Sequence, residues 1–312
     1  MSRPVRISVA MMNPHGTVDH VFADVADRMS EDALLLGVKN TRAISRAFVR
    51  RLEENGMLLH TLDRKALGGR AVDAALVNPL TLRAMTGSSS GTALNVLYHI
   101  NDLGLGTDGG GSVLAPAASV NLYAFISPSL DRENMSAFAK TSTDGIAFTP
   151  SLGFIARDLG TLRRPIGLFF DIAKVSYRRL EVPVELDIYG PRAPLVSYLR
   201  DAVQPGCVIV SREGPVDQMG IGDTIYGHHD EVTVAGQRAS GKGLMRVVNM
   251  AGLAAAAIPT ERLGWTDIVI ARDDDEGVGA ILAEASRLDA GRSALVDRYF
   301  GDLDAYFDEW RA

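Results

Sequence analysis

Two small-residue loops around one short apolar helix constrain this 312-residue chain more than any other feature. The first loop reads Met85-Thr86-Gly87-Ser88-Ser89-Ser90-Gly91. The second reads Gly104-Leu105-Gly106-Thr107-Asp108-Gly109-Gly110-Gly111-Ser112. Between them Ala93, Val96, Leu97 and Ile100 recur at i, i+3, i+4 and i+7, the spacing of a helix with one apolar face. Residues 103–105 leave room for only a very short strand, so the chain doubles back and brings both serine loops to one edge of the fold. Glycine lets a backbone approach a ligand closely. Successive amides at Gly109, Gly110 and Gly111 can line a pocket for a developing oxyanion, which makes Ser112 the candidate nucleophile. The competing reading is a pair of glycine-serine turns without chemistry, since Ser-Ser-Ser-Gly also suits a linker. The glycine row does not match the phosphate-binding P-loop, because no lysine stands at the required position.

The two loops at their fixed separation are more specific than either alone. Together they resemble the amidase signature family, whose core reads Gly-Gly-Ser-Ser-Gly-Gly-Ser-Ala and, about two dozen residues on, Gly-Thr-Asp-x-Gly-Gly-Ser-Ile-Arg-x-Pro-Ala. Ser88 falls on the family's bridging serine and Ser112 on its nucleophile. Residues 48–56, Asn78-Pro79, the segment around Arg157 and the run ending at Ile258-Pro259 resemble further stretches of the family. The resemblance implies an α/β fold, a mixed β-sheet flanked by helices on both faces, as one domain over residues 1–312. It implies hydrolysis of a small carboxamide C–N bond through a Ser–Ser–Lys triad. It also implies a cis peptide at Ser88, with the Ser88 hydroxyl in hydrogen-bond reach of Ser112. Ser89 and Asp108 join Gly109, Gly110 and Gly111 as the expected substrate-binding set.

A serine hydroxyl needs a base within hydrogen-bond reach. In the family a buried, neutral lysine ends the first core strand, about seventy to eighty residues before the bridging serine. Counting back to that place meets Met11, Met12 and His15, and no lysine. Lys39, in Gly37-Val38-Lys39-Asn40-Thr41, superficially resembles the lysine motif but sits too close to the following helix. His15 is the expected replacement base, because imidazole titrates near neutrality without special burial. The other reading of Asn13-Pro14-His15-Gly16 is an exposed turn. Leu114 stands where the family has arginine, which leaves Asp108 as either an ion-pair partner or a turn carboxylate. The missing lysine keeps two further classes open beside a hydrolase: a catalytically silent protein that binds a ligand or partner, and an acyltransferase that forms amides.

Composition narrows the field. With 46% hydrophobic residues, a sizeable core needs no staples, and Cys207 is the single cysteine, so no internal disulfide forms. A net charge of −6 argues against nucleic-acid and anionic-membrane partners. No run approaches a membrane span, and residues 7–12 are too short for a signal-peptide core. A cytoplasmic protein with a small-molecule amide substrate and no cofactor or metal is expected, with a homodimer left open. His228-His229-Asp230-Glu231 lacks a third regularly spaced ligand and reads as a solvated loop. Periodicity places strands at 5–12, 57–62, 121–127, 182–188, 207–210 and 267–271, and a strand or helix at 166–172. A polar coil runs to about residue 40, and helices are expected from Thr41 to Gly56, over 242–257 and over 277–288.

Overall fold

Ten strands share one sheet in the computed structural model, which describes residues 1–172, 174–222 and 229–301. They are β1 (Val18–Val21), β2 (Leu34–Lys39), β3 (Met57–Asp63), β4 (Leu103–Asp108), β5 (Tyr123–Ser127), β6 (Ser151–Ala156), β7 (Arg178–Glu181), β8 (Cys207–Glu213), β9 (Ala254–Pro259) and β10 (Thr266–Ala271). Their spatial order is β1-β3-β2-β4-β6-β5-β9-β10-β8-β7. Strand β2 runs parallel to both β3 and β4, and β7 runs parallel to β8. The other neighbours are antiparallel, so the sheet is mixed, as expected. Strands β9 and β10 are buried at every position, the pattern of strands covered on both faces.

Helices α1 (Arg3–Met12), α2 (Arg46–Glu53), α3 (Ser90–Leu97), α4 (Leu114–Ser119), α5 (Leu159–Ile166), α6 (Arg192–Ala202) and α7 (Asp275–Leu288) cover it. Helices α3, α4 and α6 pack with Ala124, Ile126, Ala255, Ala257, Ile268 and Ile270. Helices α2, α5 and α7 pack with Phe125, Ala254, Ala256, Ile258 and Val269. The partners alternate along each strand, so successive side chains feed opposite layers.

Five expectations fail, the first three for local reasons. Residues 5–12 lie in helix α1, not a strand. Val5, Ile7 and Val9 fit alternation, but Val5 and Val9 also fit a helical stripe, and Pro4 sits in the first turn where it suits a helix. The supposed coil before residue 40 contains β2, whose Leu-Leu-Leu-Gly-Val core is almost entirely buried. Residues 242–257 break at Gly252, which adopts a left-handed φ of 78° and ends a short helix, Val248–Ala251. The alanines that follow, good helix formers, are drawn into β9 by burial between two strands. Residues 166–172 are the end of α5 and turns, while the strand expected at 182–188 lies earlier, as β7.

Candidate active site

Glycines set how close α3 comes to the sheet. A Cβ at Gly104 would lie 2.5 Å from the Thr92 methyl, and one at Gly106 would lie 2.6 Å from the Ser89 hydroxyl. Gly37 and Gly91 are as crowded, by Asn101 and Asp63 and by the Arg64 and Thr17 carbonyls. A polar lock adds direction: Asn95 Nδ2 donates to Asp63 Oδ1 at 2.6 Å, and Thr17 Oγ1 donates to Asn95 Oδ1 at 2.5 Å. The N-terminal end of α3, carrying Ser88 and Ser89, is thereby held over the ends of β2 and β4.

Lys39 ends β2, and its Nζ lies 2.7 Å from Ser88 Oγ, 2.8 Å from Thr107 Oγ1 and 3.3 Å from the Thr107 carbonyl. The residue is only 3% exposed and makes no ion pair with a carboxylate among the described residues. Burial pushes its pKa down to about 7, partly opposed by the charge of Asp108 and assisted by Lys140 and Lys65. The expected absence of a lysine is therefore corrected. The short segment linking β2 to α2 argues against Lys39 only by loop length, which leaves the strand end unchanged. Met11 and Met12, each 64% exposed on α1, are not in its place.

Asp108 organises the second loop. Its Oδ1 accepts from the Gly111 amide at 2.7 Å, and its Oδ2 accepts from Val113 at 2.6 Å and Leu114 at 3.2 Å. Burial nevertheless raises its pKa, against the pull of those amides and of Lys39. With both oxygens bonded to backbone and no exposure, Asp108 is a turn carboxylate, and its expected contact with substrate is corrected. Gly111 is corrected as well, because its amide is engaged by Asp108. Gly109 and Gly110 are half-buried, and neither amide makes a hydrogen bond among the described residues.

The Ser89 amide donates to the Ser112 carbonyl at 3.2 Å, which joins the two loops side by side. Ser89 itself is fully buried with its hydroxyl against Gly106, so it does not reach a substrate. Two details differ from expectation. The peptide at Ser88 is trans, Gly214–Pro215 being the one cis bond among the described residues. No hydrogen bond joins the Ser88 and Ser112 hydroxyls.

His15 lies away from both serines. Its ring stacks on Tyr98 at 4.1 Å, and Tyr98 caps the end of α3 opposite to Ser88, roughly 12 Å away along the helix. Burial lowers its pKa, but nothing links it to a serine. Arg157 also serves that far end, donating to the Val96 and Asn101 carbonyls at 2.7 and 2.8 Å. Leu114, in place of an arginine, is buried in the core, and Asp108 meets amides there instead. Sequence reasoning missed Thr107 altogether, although it sits one position before Asp108 in the quoted motif. His228 lies outside the described residues, and no group of three metal-ligating side chains occurs among those described. No helix among them is long and apolar enough to cross a membrane.

Residues 48–136 match the family model described as Amidase. No curated protein matches the chain by sequence. Among solved structures, one described as an amidase superposes with a TM-score of 0.63 at 14% identity, covering 92% of this chain and 96% of that one. A component of the glutamyl-tRNA(Gln) amidotransferase of Thermotoga maritima gives 0.62 at 15%, covering 93% of each chain. The 6-aminohexanoate cyclic dimer hydrolase, solved with its substrate, gives 0.59 at 15%, covering 95% and 96%. At such identities these structures share the fold.

Proposed function

We propose that the chain is an amidase signature enzyme that hydrolyses small carboxamides through an acyl-enzyme on Ser112, a reading supported by the Amidase match over residues 48–136. Lys39 is the base in this reading and Ser88 the relay. A neutral lysine presents one lone pair and two N–H donors. The donors suit the two Thr107 oxygens at 2.8 and 3.3 Å, and the lone pair then faces the Ser88 hydroxyl at 2.7 Å. As Ser112 Oγ attacks the carbonyl carbon, its proton passes to Ser88 Oγ, and the Ser88 proton passes to Lys39. The oxyanion forms beside the Gly109 and Gly110 amides, where fixed donors stabilise charge without reorganising. Collapse breaks the C–N bond, and the proton returns through Ser88 to the departing nitrogen. Water then attacks the ester by the same relay and releases the acid.

The observation that carries this reading is the buried Lys39–Ser88 contact, with no carboxylate in hydrogen-bond contact among the described residues. A lysine with a pKa of about 7 is half neutral near pH 7, as a general base needs. The missing Ser88–Ser112 hydrogen bond is compatible with it, because catalytic hydrogen bonds often tighten only once substrate is bound. The contact also disfavours the silent-protein reading, whose ground was the absence of a lysine. A fluorophosphonate probe tests the proposal. It should label Ser112 in the native chain, and Ser112→Ala should abolish labelling with the thermal midpoint nearly unchanged. Full labelling of the Ala variant would overturn it.

A further inference from the structure

Two exposed lysines lie near the buried Lys39 on a chain that is acidic overall. With 38 acidic against 32 basic residues, an uncompensated positive patch is not what composition supplies. These two, Lys65 and Lys140, lie close to the chain around Ser88 and Gly109. The Ala66 amide donates to the Ser88 carbonyl at 3.3 Å, which fixes Lys65 one residue from the relay serine. On the other side, Lys140 begins a short hairpin, Lys140–Thr141 with Ala147–Phe148. Its Nζ lies 5.5 Å from the centre of the Phe148 ring. That ring covers Gly109, where a Cβ would lie 2.5 Å from it. Lys140 thus stands one aromatic ring away from the row of free amides.

Four nearby carboxylates are engaged elsewhere. Asp108 is saturated by three amides, and Asp73 accepts from Ser90 Oγ at 2.6 Å. Asp144, on the Lys140 hairpin, pairs with Arg192 at 2.7 Å. Asp19 accepts from Asn40, next to Lys39, at 2.8 Å. Both exposed lysines are near enough to Lys39 to lower its pKa. Two cations beside a buried base repel its protonated form, and a bound anion would relieve that repulsion as the base takes up its proton.

We infer that the substrate is an amide that also carries a carboxylate, which Lys65 and Lys140 hold beside the site while Phe148 packs on the carbon chain between. The reaction assigned to the site rests on the hydrolase reading above, whereas the binding preference can be measured without turnover. The carboxylate does two things here: it selects the substrate, and it raises the proton affinity of Lys39 within the complex.

Calorimetry on Ser112→Ala, with succinamate and butyramide as probes, tests the inference. Succinamate should bind more tightly, and its advantage should shrink as salt is raised. Adding Lys65→Met and Lys140→Met in the same background should cut the succinamate-to-butyramide preference roughly tenfold. Equal binding of the two probes, binding of neither, or a preference retained without both lysines would overturn the inference. Fluorophosphonate labelling of the native chain separates the two readings. Labelled protein without carboxylate preference overturns the substrate class alone. Unlabelled protein that prefers succinamate keeps the binding site and overturns the reaction.

Discussion

Two buried lysines reach the same stretch of chain and are treated in opposite ways. Lys39, 3% exposed, contacts Ser88 and Thr107, which are uncharged partners. Lys242, 5% exposed, contacts Thr86 Oγ1 at 2.7 Å and the Asp217 carboxylate at 3.0 Å. Thr86 and Ser88 are two residues apart, so both ammonium groups sit under one loop. A counter-charge in contact makes Lys242 a tie between residues 217, 242 and 86. Burial without such a contact lowers the Lys39 pKa to about 7, fit to exchange protons. Burial alone does not make a lysine a base. The partner decides.

The largest test of that contrast is Lys39→Met. Labelling of Ser112 should slow by roughly 10²–10⁴-fold, the usual worth of one positioned base. Lys242→Met should act instead on stability, by about 3–5 kcal/mol, because it leaves Asp217 buried and unpaired. Adding Asp217→Asn should recover much of that loss in denaturant titration. A Lys242→Met protein as stable as the native chain would erase the distinction.

A smaller effect is the pH dependence of stability. The folded-state pKa of Lys39 lies near 7 against an ordinary 10.5, so between those values the unfolded chain binds the extra proton. Stability therefore rises with pH across that window, and the burial penalty is fully present below about pH 7. Thermal midpoints should show Lys39→Met gaining most over the native chain in acid, with the gain shrinking towards pH 10. Smallest of all, His15→Ala should leave the labelling rate within about twofold, as for a substitution remote from the site.

The serine loops and the inner strands were legible because motif and burial agree there. The two serine loops adjoin through the Ser89 amide and the Ser112 carbonyl, and β5, β8 and β10 follow their apolar runs. Lys39 was hidden by counting along the chain. Distance in sequence depends on loop length, whereas the place of the lysine depends on strand β2 running parallel to β4. Leu34-Leu35-Leu36-Gly37-Val38 carried that signal as an apolar run ending in lysine. The role of Asp108 was open because a carboxylate that gathers amides and one that pairs with an arginine look alike in sequence. Helix α1 failed for a third reason, since its apolar residues satisfy both periods at once.

The pH profile of Ser112 modification tests the central claim most directly. The fluorophosphonate rate, followed from about pH 5 to about pH 10, should rise through a single midpoint near 7, the value burial gives Lys39. In Lys39→Met the residual rate should be slow and lose that midpoint, while His15→Ala should keep it. A midpoint that survives in Lys39→Met, or moves with His15→Ala, would contradict Lys39 as the base.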